Sequence, residues 1–273
     1  MAKRNFKNSV IVITGAAGNL GTALCERFGK EGAKFIALDL NPKDVERLAK
    51  QLEAKNIEVF ARACDITDAE ACKAVVEEGK KHFGRIDHLI NNAGITHIER
   101  YRKMDKSKNT IRKVMEVNFF GSVNSTEACL DDIVWNKGMI LTVSSVAGFA
   151  PLIGRTAYSA SKHALHGFFE SLRAELADDG VQCMMICPSF ISPNKPKDSE
   201  KVDATEKGSI YQPKKLVGKE VTATMAAEDI YNAAIANKPL VTVGKVSKQS
   251  YLLTRVAPNL YENIMRKRLK DDE

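Results

Sequence analysis

Residues 145–162 of this chain, SVAGFAPLIGRTAYSASK, hold three groups whose types and spacing suit proton transfer. If the run from Tyr158 onward is helical, Tyr158 and Lys162 stand at i and i+4 and share one face. A phenol with an ammonium about one helical turn away is a proton-transfer device. The cation stabilises the phenolate, so a group with a free pKa of roughly 10 exchanges protons nearer neutrality. Ser145 adds a hydroxyl that can grip a carbonyl oxygen if it sits at the end of the preceding strand. Taken alone, Y-x-x-x-K is a common pair on ordinary helices, and the weight comes from the segments around it.

Those segments alternate between two periodicities. Residues 10–13 are a short apolar run rich in β-branched side chains, read as a buried strand. It enters the turn Thr14-Gly-Ala-Ala-Gly-Asn-Leu-Gly21, followed by a helical pattern of Leu20, Leu24 and Phe28 that ends at Gly32. Strand, glycine-rich turn and helix let backbone N–H groups approach a pyrophosphate at a helix N-terminus, although glycines also simply make turns. The second strand, 34–39, ends in Asp39, an acid able to accept hydrogen bonds from both adenosine ribose hydroxyls and to repel a 2′-phosphate. Leu40 follows with no Arg or Lys beside the acid, which favours NAD over NADP.

Asn41 and Pro42 open the next helix as cap and first-turn residue, and it runs to about residue 55. A third strand covers 57–63, and Thr67 with Glu70 predicts a capping box for a helix to about residue 83. A fourth strand, 86–90, leads into Asn91-Asn-Ala-Gly94, then a basic polar stretch over 96–109 and one long helix to about residue 135. Strand five, 139–143, delivers Ser144 and Ser145, the Tyr158 helix extends to about 179, and 182–187 is strand six. A helix over 227–237 and a strand over 240–243 complete the sheet. This alternation predicts an α/β fold: one Rossmann-type, doubly wound parallel sheet with helices on both faces and ligands at the carboxyl ends of the strands. Every motif singled out above falls at such an end.

Composition narrows the class. A chain of 273 residues with 44% hydrophobic and 27% charged residues suits one large globular domain. The net charge of +7 is spread along the chain, and no recognisable DNA- or RNA-binding module is present, so no nucleic-acid partner is expected. Six cysteines without a C-x-x-C read as buried free thiols of a reducing compartment. With no apolar signal core and no run near the ~18 apolar residues of a membrane span, the expectation is a soluble cytoplasmic protein. His163, His166 and Glu170 have helical spacing but no third His or Cys nearby in sequence, and no metal is expected.

Together these motifs resemble the short-chain dehydrogenases/reductases, in the compact one-domain subfamily, over residues from about 8 to 245. The resemblance implies a nicotinamide cofactor, NAD before NADP, held by Gly15, Asn19, Leu20, Gly21, Asp39, Asp65, Ile66, Asn92, Ala93, Gly94, Tyr158, Lys162 and Ile191. It implies Asn118, Ser145, Tyr158 and Lys162 as the catalytic four: Tyr158 as general acid/base, Ser145 orienting the substrate oxygen, Lys162 lowering the tyrosine pKa and binding ribose, Asn118 holding a relay water. The thirteen-residue spacing to Tyr158 selects Ser145 over Ser144, and strand alternation turns Ser144 away. The small-molecule substrate would be a secondary alcohol or ketone, with YSASKHALHGFFESLRAEL similar to relatives acting on lipophilic alcohols; the assembly would be a homodimer or homotetramer. A carrier-bound 3-oxoacyl reductase and a non-catalytic nucleotide sensor on the same fold are the alternatives.

Three positions depart from the family pattern. The glycines fall at 15, 18 and 21, with Asn19 where compact relatives carry the middle glycine; asparagine tolerates a left-handed backbone. Pro188 is followed by Ser189 rather than glycine, and Pro193 stands where a cofactor-touching threonine is usual, leaving Ser192 as the neighbouring hydroxyl. The lysine-rich stretch 192–225 reads as a substrate lid. Residues 246–273 form a basic tail with an apolar stripe of Leu252, Leu253, Val256, Leu260, Tyr261, Ile264 and Met265, broken at Pro258. It is expected to cover the protein's own cleft or a neighbouring subunit; peripheral membrane contact is the other reading.

Overall fold

A computed structural model of the chain describes residues 3–192 and 221–272. The elements in order are β1 (Val10–Thr14), α1 (Asn19–Gly29), β2 (Lys34–Asp39), α2 (Pro42–Glu53), β3 (Val59–Ala63), α3 (Ala69–Phe83), β4 (His88–Asn91), α4 (Thr110–Met115), α5 (Gly121–Trp135) and β5 (Met139–Val143). There follow α6 (Thr156–Glu175), β6 (Gln182–Pro188), β7 (Ile191–Ser192), β8 (Val221–Thr222), α7 (Ala223–Ile235), β9 (Leu240–Val243), α8 (Lys245–Val256) and α9 (Pro258–Asp272). Seven strands pair in parallel in the order β3-β2-β1-β4-β5-β6-β9, and β7 pairs with β8 apart from them. The doubly wound sheet expected from the sequence is the one observed.

Strand periodicity explains how one sheet carries two cores. In β1, Ile11 and Ile13 face one way and pack with Leu24 and Phe28 of α1, Leu48 and Leu52 of α2, and Ile230 of α7. Val10 and Val12 face the other way, with Cys72 and Val76 of α3, Cys129 and Ile133 of α5, and Leu165 and Phe169 of α6. Both faces are covered, so central strands such as VIVIT and MILTV are apolar almost throughout. All six cysteines are free and buried.

Local differences from the sequence reading have identifiable causes. Asp68, not Thr67, caps α3, accepting from the Ala71 N–H at 3.0 Å, because Thr67 is taken up by Asp65 through its own N–H and hydroxyl. The long helix expected before residue 135 is interrupted over Glu116–Phe120 by a π-helical turn, in which the Gly121 N–H donates to the Glu116 carbonyl. Asn118 lies within that turn. Most of the expected lid, with Pro193, falls outside the described residues.

The tail divides at Pro258 into two helices with two environments. Leu253, Tyr261 and Met265 pack with Val146, Ala150, Phe149 and Leu152, so the tail covers the segment directly after Ser145. Leu252, Val256 and Leu260 of the same stripe are exposed instead. Among the described residues no helix is long and apolar enough to cross a membrane.

The starts of β1, β4 and β5 are joined at Asp87. Its Oδ2 accepts the Val10 N–H at 2.8 Å, and its own N–H donates to the Val10 carbonyl at 2.9 Å. On the other side Gly138 is so close that a Cβ there would lie 1.8 Å from the Asp87 carbonyl oxygen. A backbone atom cannot swing aside as a side-chain tip can, so Gly138→Ala is expected to cost about 3 kcal/mol, the upper end for overpacking. Urea unfolding would check this, and a loss near zero would mean that the three strand starts are not held this tightly.

Candidate active site

The carboxyl ends of β1, β4 and β5 bring the sequence-selected side chains together. β5 ends at Val143, and the extended backbone at Ser145 (φ −171) turns its side chain to cap the short turn Val146–Gly148, with Oγ accepting the Ala147 N–H at 3.1 Å. Ser145 lies near enough to Tyr158 to oppose the rise of its pKa, so the serine and the phenol face one place for a substrate oxygen. Ser144 is buried on the opposite side, its Oγ 3.4 Å from the Lys162 carbonyl, as strand alternation requires.

Tyr158 and Lys162 lie on one face of α6, with Nζ 5.7 Å from the phenol ring centroid. Lys162 is 3% exposed, and its Nζ donates to the Val143 carbonyl at 2.7 Å. Burial lowers its pKa to about 8. The expectation that Lys162 lowers the Tyr158 pKa is corrected here. Burial raises the Tyr158 pKa above its ordinary value, and the opposing contributions come from the nearby Ser145 hydroxyl and the Arg155 charge. Desolvation outweighs them because the phenolate would be a buried anion, while the lysine is committed to a carbonyl.

Asn118 is fully buried and acts as a clamp. Its Oδ1 accepts the Ile95 N–H at 2.7 Å, and its Nδ2 donates to the Ile95 carbonyl at 3.0 Å and to Ser161 Oγ at 2.9 Å. Both amide donors are therefore used, leaving one lone pair on Oδ1. Gly94 sits between this oxygen and Lys162: a Cβ there would lie 3.2 Å from Oδ1 and 3.5 Å from Nζ.

The other half of the cleft forms at the β1–α1 turn. Gly15 takes a left-handed backbone (φ +62), and any side chain would meet Ala93 Cα at 2.7 Å. Gly18 caps α1 with no side-chain hydrogen bond, so the first N–H groups of the helix are left for another acceptor. Asn19 is the first residue of α1 and is not left-handed, so the tolerance invoked for it is not needed. Leu20 is half-buried against the core. Asp39 Oδ2 accepts the Ala17 N–H at 2.9 Å and Oδ1 the Leu40 N–H at 2.8 Å, which ties the acid to the turn and leaves further lone pairs on both oxygens. Asp65 is exposed at the end of β3 beside it, and Ile66 is buried against Gly121. Asn92 and Ala93 line the turn from β4. Ile191 pairs with Val221 and packs against the core beneath α7, whereas the Ser192 hydroxyl is turned to the Val221 carbonyl at 3.5 Å.

Three contributors had no clear sequence signal. Thr14 Oγ1 accepts the N–H groups of both Asn92 and Ala93 at 3.1 Å. Ser161 completes the Asn118 clamp. Arg155 places its guanidinium carbon 5.8 Å from the Tyr158 ring centroid. The unusual Ser189 is accommodated by Gly244, where a Cβ would lie 2.5 Å from Ser189 Oγ. His163 and His166 do not converge: one faces the Ser159 carbonyl, the other Glu170 and Cys187. Among the described residues no three His, Cys, Asp or Glu side chains are grouped to hold a metal ion.

A family profile described as short chain dehydrogenase matches residues 9–203. The mouse protein named dehydrogenase/reductase SDR family member 7B is 32% identical over 277 residues, covering 99% of this chain and 84% of its own. An Arabidopsis thaliana protein named 11-beta-hydroxysteroid dehydrogenase-like 2 is 34% identical over 192 residues, 69% of this chain and 61% of its own. Among solved structures, a short chain dehydrogenase/reductase from Burkholderia phymatum in complex with NAD superposes with a TM-score of 0.80, covering 94% of this chain and 96% of its own at 22% identity. That likeness is one of fold.

The depressed lysine has a measurable signature. Between about 8 and 10.5 the unfolded chain binds more protons at Lys162 than the folded one, so stability owed to this group rises with pH across that window. Below it the cost of burying the charge is present in full. The unfolding free energy of Lys162→Met relative to wild type should therefore shift in favour of wild type as pH rises through the window. A difference independent of pH would show that the ammonium is not destabilised by burial.

Proposed function

The chain belongs to the short-chain dehydrogenase family, and from that premise we propose that it is an oxidoreductase interconverting a secondary alcohol and a ketone of lipophilic character with a nicotinamide cofactor, NAD in preference. The observation that carries this is one cluster in which Ser145 and Tyr158, both partly exposed, stand in front of the buried Lys162 and Asn118. The mouse and Arabidopsis relatives, named for dehydrogenase activity, support the reaction class, and the Arabidopsis name supports a lipophilic alcohol.

The cleft suits the cofactor. Gly15 and Gly21 let the turn pack against Ala93 and against the start of α1, where any Cβ would collide with backbone. The uncapped start of α1 offers N–H groups to a pyrophosphate, and Asp39 retains acceptor capacity for a ribose. Asn19, Leu20, Asp65, Ile66, Asn92, Ala93, Gly94 and Ile191 would complete the cradle, with Tyr158 and Lys162 at its inner end. The preference for NAD rests on Asp39 and exposed Leu40; the nearest cation on β3, Arg62, lies over the Phe60 ring and pairs with Glu78. When bound, the nicotinamide supplies or takes the hydride.

The chain's own residues handle position and the proton. Ser145 Oγ and Tyr158 Oη hold the substrate oxygen between them. In reduction, Tyr158 gives its proton to the forming alkoxide; in oxidation, the phenolate takes the alcohol proton. A phenol kept protonated by burial is ready for the first role. Lys162, already lowered to about 8, is the group behind it able to exchange a proton near neutrality. Asn118 holds the Gly94–Ile95 backbone in place against both.

Tyr158→Phe should lower kcat by about a thousandfold while NADH titration by fluorescence still reports binding. Normal turnover in that variant would sink the assignment. Titration of the wild type should show NADH bound more tightly than NADPH, and the reverse order would overturn the Asp39 reading.

A further inference from the structure

Arg155 sits three residues before Tyr158, at the N-terminus of α6. Its Nη1 donates to Thr96 Oγ1 at 3.2 Å, which places the guanidinium between the start of the Tyr158 helix and the segment following Gly94. No carboxylate among the described residues pairs with it. The nearby acid Glu99 is engaged with His97 at 3.0 Å. Burial pulls the Arg155 pKa down, and among the described residues the charge that opposes this is that of Tyr158.

A half-buried cation with one neutral hydrogen bond is under-compensated, since a guanidinium carries five N–H donors and loses hydration on burial. Arg155 is not needed to hold the two segments together, because the Glu99 N–H already donates to the Gly154 carbonyl at 2.8 Å. Two further features give the region one sign. The N-terminus of α6 adds a partial positive charge, and the adjoining stretch exposes Arg102, Lys103, Lys106 and Lys108 with Asp105 the one acid among them.

Resting on the oxidoreductase reading above, we propose that Arg155 binds an anionic group of the substrate, a carboxylate or phosphate carried within a few bonds of the oxygen held by Ser145 and Tyr158. The substrate is then an amphiphile: an acid head at Arg155, the reacting carbon beside Tyr158, and a lipophilic remainder. Arg155 is a specificity residue in this assignment. The proton chemistry stays with Tyr158.

The test compares reduction of 3-oxooctanoate and methyl 3-oxooctanoate by NADH in wild type, Arg155→Gln and Arg155→Lys. The acid should be preferred by wild type, and Arg155→Gln should lose kcat/KM for the acid about tenfold more than for the ester, mainly through KM, as expected for a charge-assisted hydrogen bond. Arg155→Lys should restore part of the preference. Equal losses on both compounds would overturn the assignment and leave Arg155 a structural strap. So would an equal shift of the kcat pH profile on both compounds with no change in the acid-to-ester ratio, which would make it a cation acting on Tyr158. Binding can be read without turnover from the thermal shift that octanoate and methyl octanoate give the NADH complex. A shift confined to the acid and lost in Arg155→Gln supports the proposal, and its absence from wild type, or its survival in the variant, overturns it. Loss of NADH binding, or full activity in Tyr158→Phe, would instead identify the oxidoreductase reading as the one that failed.

Discussion

The site depends on a weld between the ends of two adjacent parallel strands. Thr14, the last residue of β1, accepts N–H groups from Asn92 and Ala93 just past β4, and Asn92 Nδ2 returns hydrogen bonds to the carbonyls of Thr14 and Gly15. These strands meet where the sheet order reverses, the position at which a crevice opens in doubly wound folds. Without the weld, the Gly15 turn and the Asn92–Gly94 segment would be two independent loops. With it they form one rigid wall, and Gly15 has to be glycine because Ala93 is against it.

From that wall a second set of constraints runs inward. Asn118 fixes Ile95, Ser161 fixes Asn118, and α6 carries Ser161 beside Lys162. The catalytic candidates are thus held by backbone partners rather than by one another. Each of Lys162, Asn118 and Ser145 has a main-chain partner, while the Tyr158 hydroxyl faces Ser145. A site built this way keeps its proton donor free and everything around it fixed, an arrangement that lowers the reorganisation required during reaction.

Much of this was legible in the sequence because the strands and helices are strongly periodic and the motifs fall at strand ends. The doubly wound parallel sheet, the ligand site at its strand ends and the shared face of Tyr158 and Lys162 follow from pattern and chirality. What was not legible depends on competition between neighbours. Thr67 with Glu70 fits a capping box, but Asp65 takes the Thr67 hydroxyl and Asp68 caps the helix instead. The Tyr158 pKa could not be read from the i,i+4 lysine, because burial and the Val143 carbonyl decide what that lysine does. Ser189 looked anomalous only because its complement, Gly244, lies far along the chain. The division of the tail stripe into inward Tyr261 and outward Leu260 required knowing what the tail packs on.

The π-helical turn at Glu116–Phe120 has a geometric consequence for the helices on either side of it. A turn one residue wider than an α-turn advances the helix without keeping its phase, so side chains before and after it look out on different sides. α4 accordingly rests on α6 while α5, continuing the same rod, rests on α3. The wide turn works as a gear between two packing partners, with Asn118 at the point where the phase changes. Removing a single residue there would not shorten the rod so much as rotate one half of it relative to the other. The asparagine and one of the two helical contacts would then be out of step together.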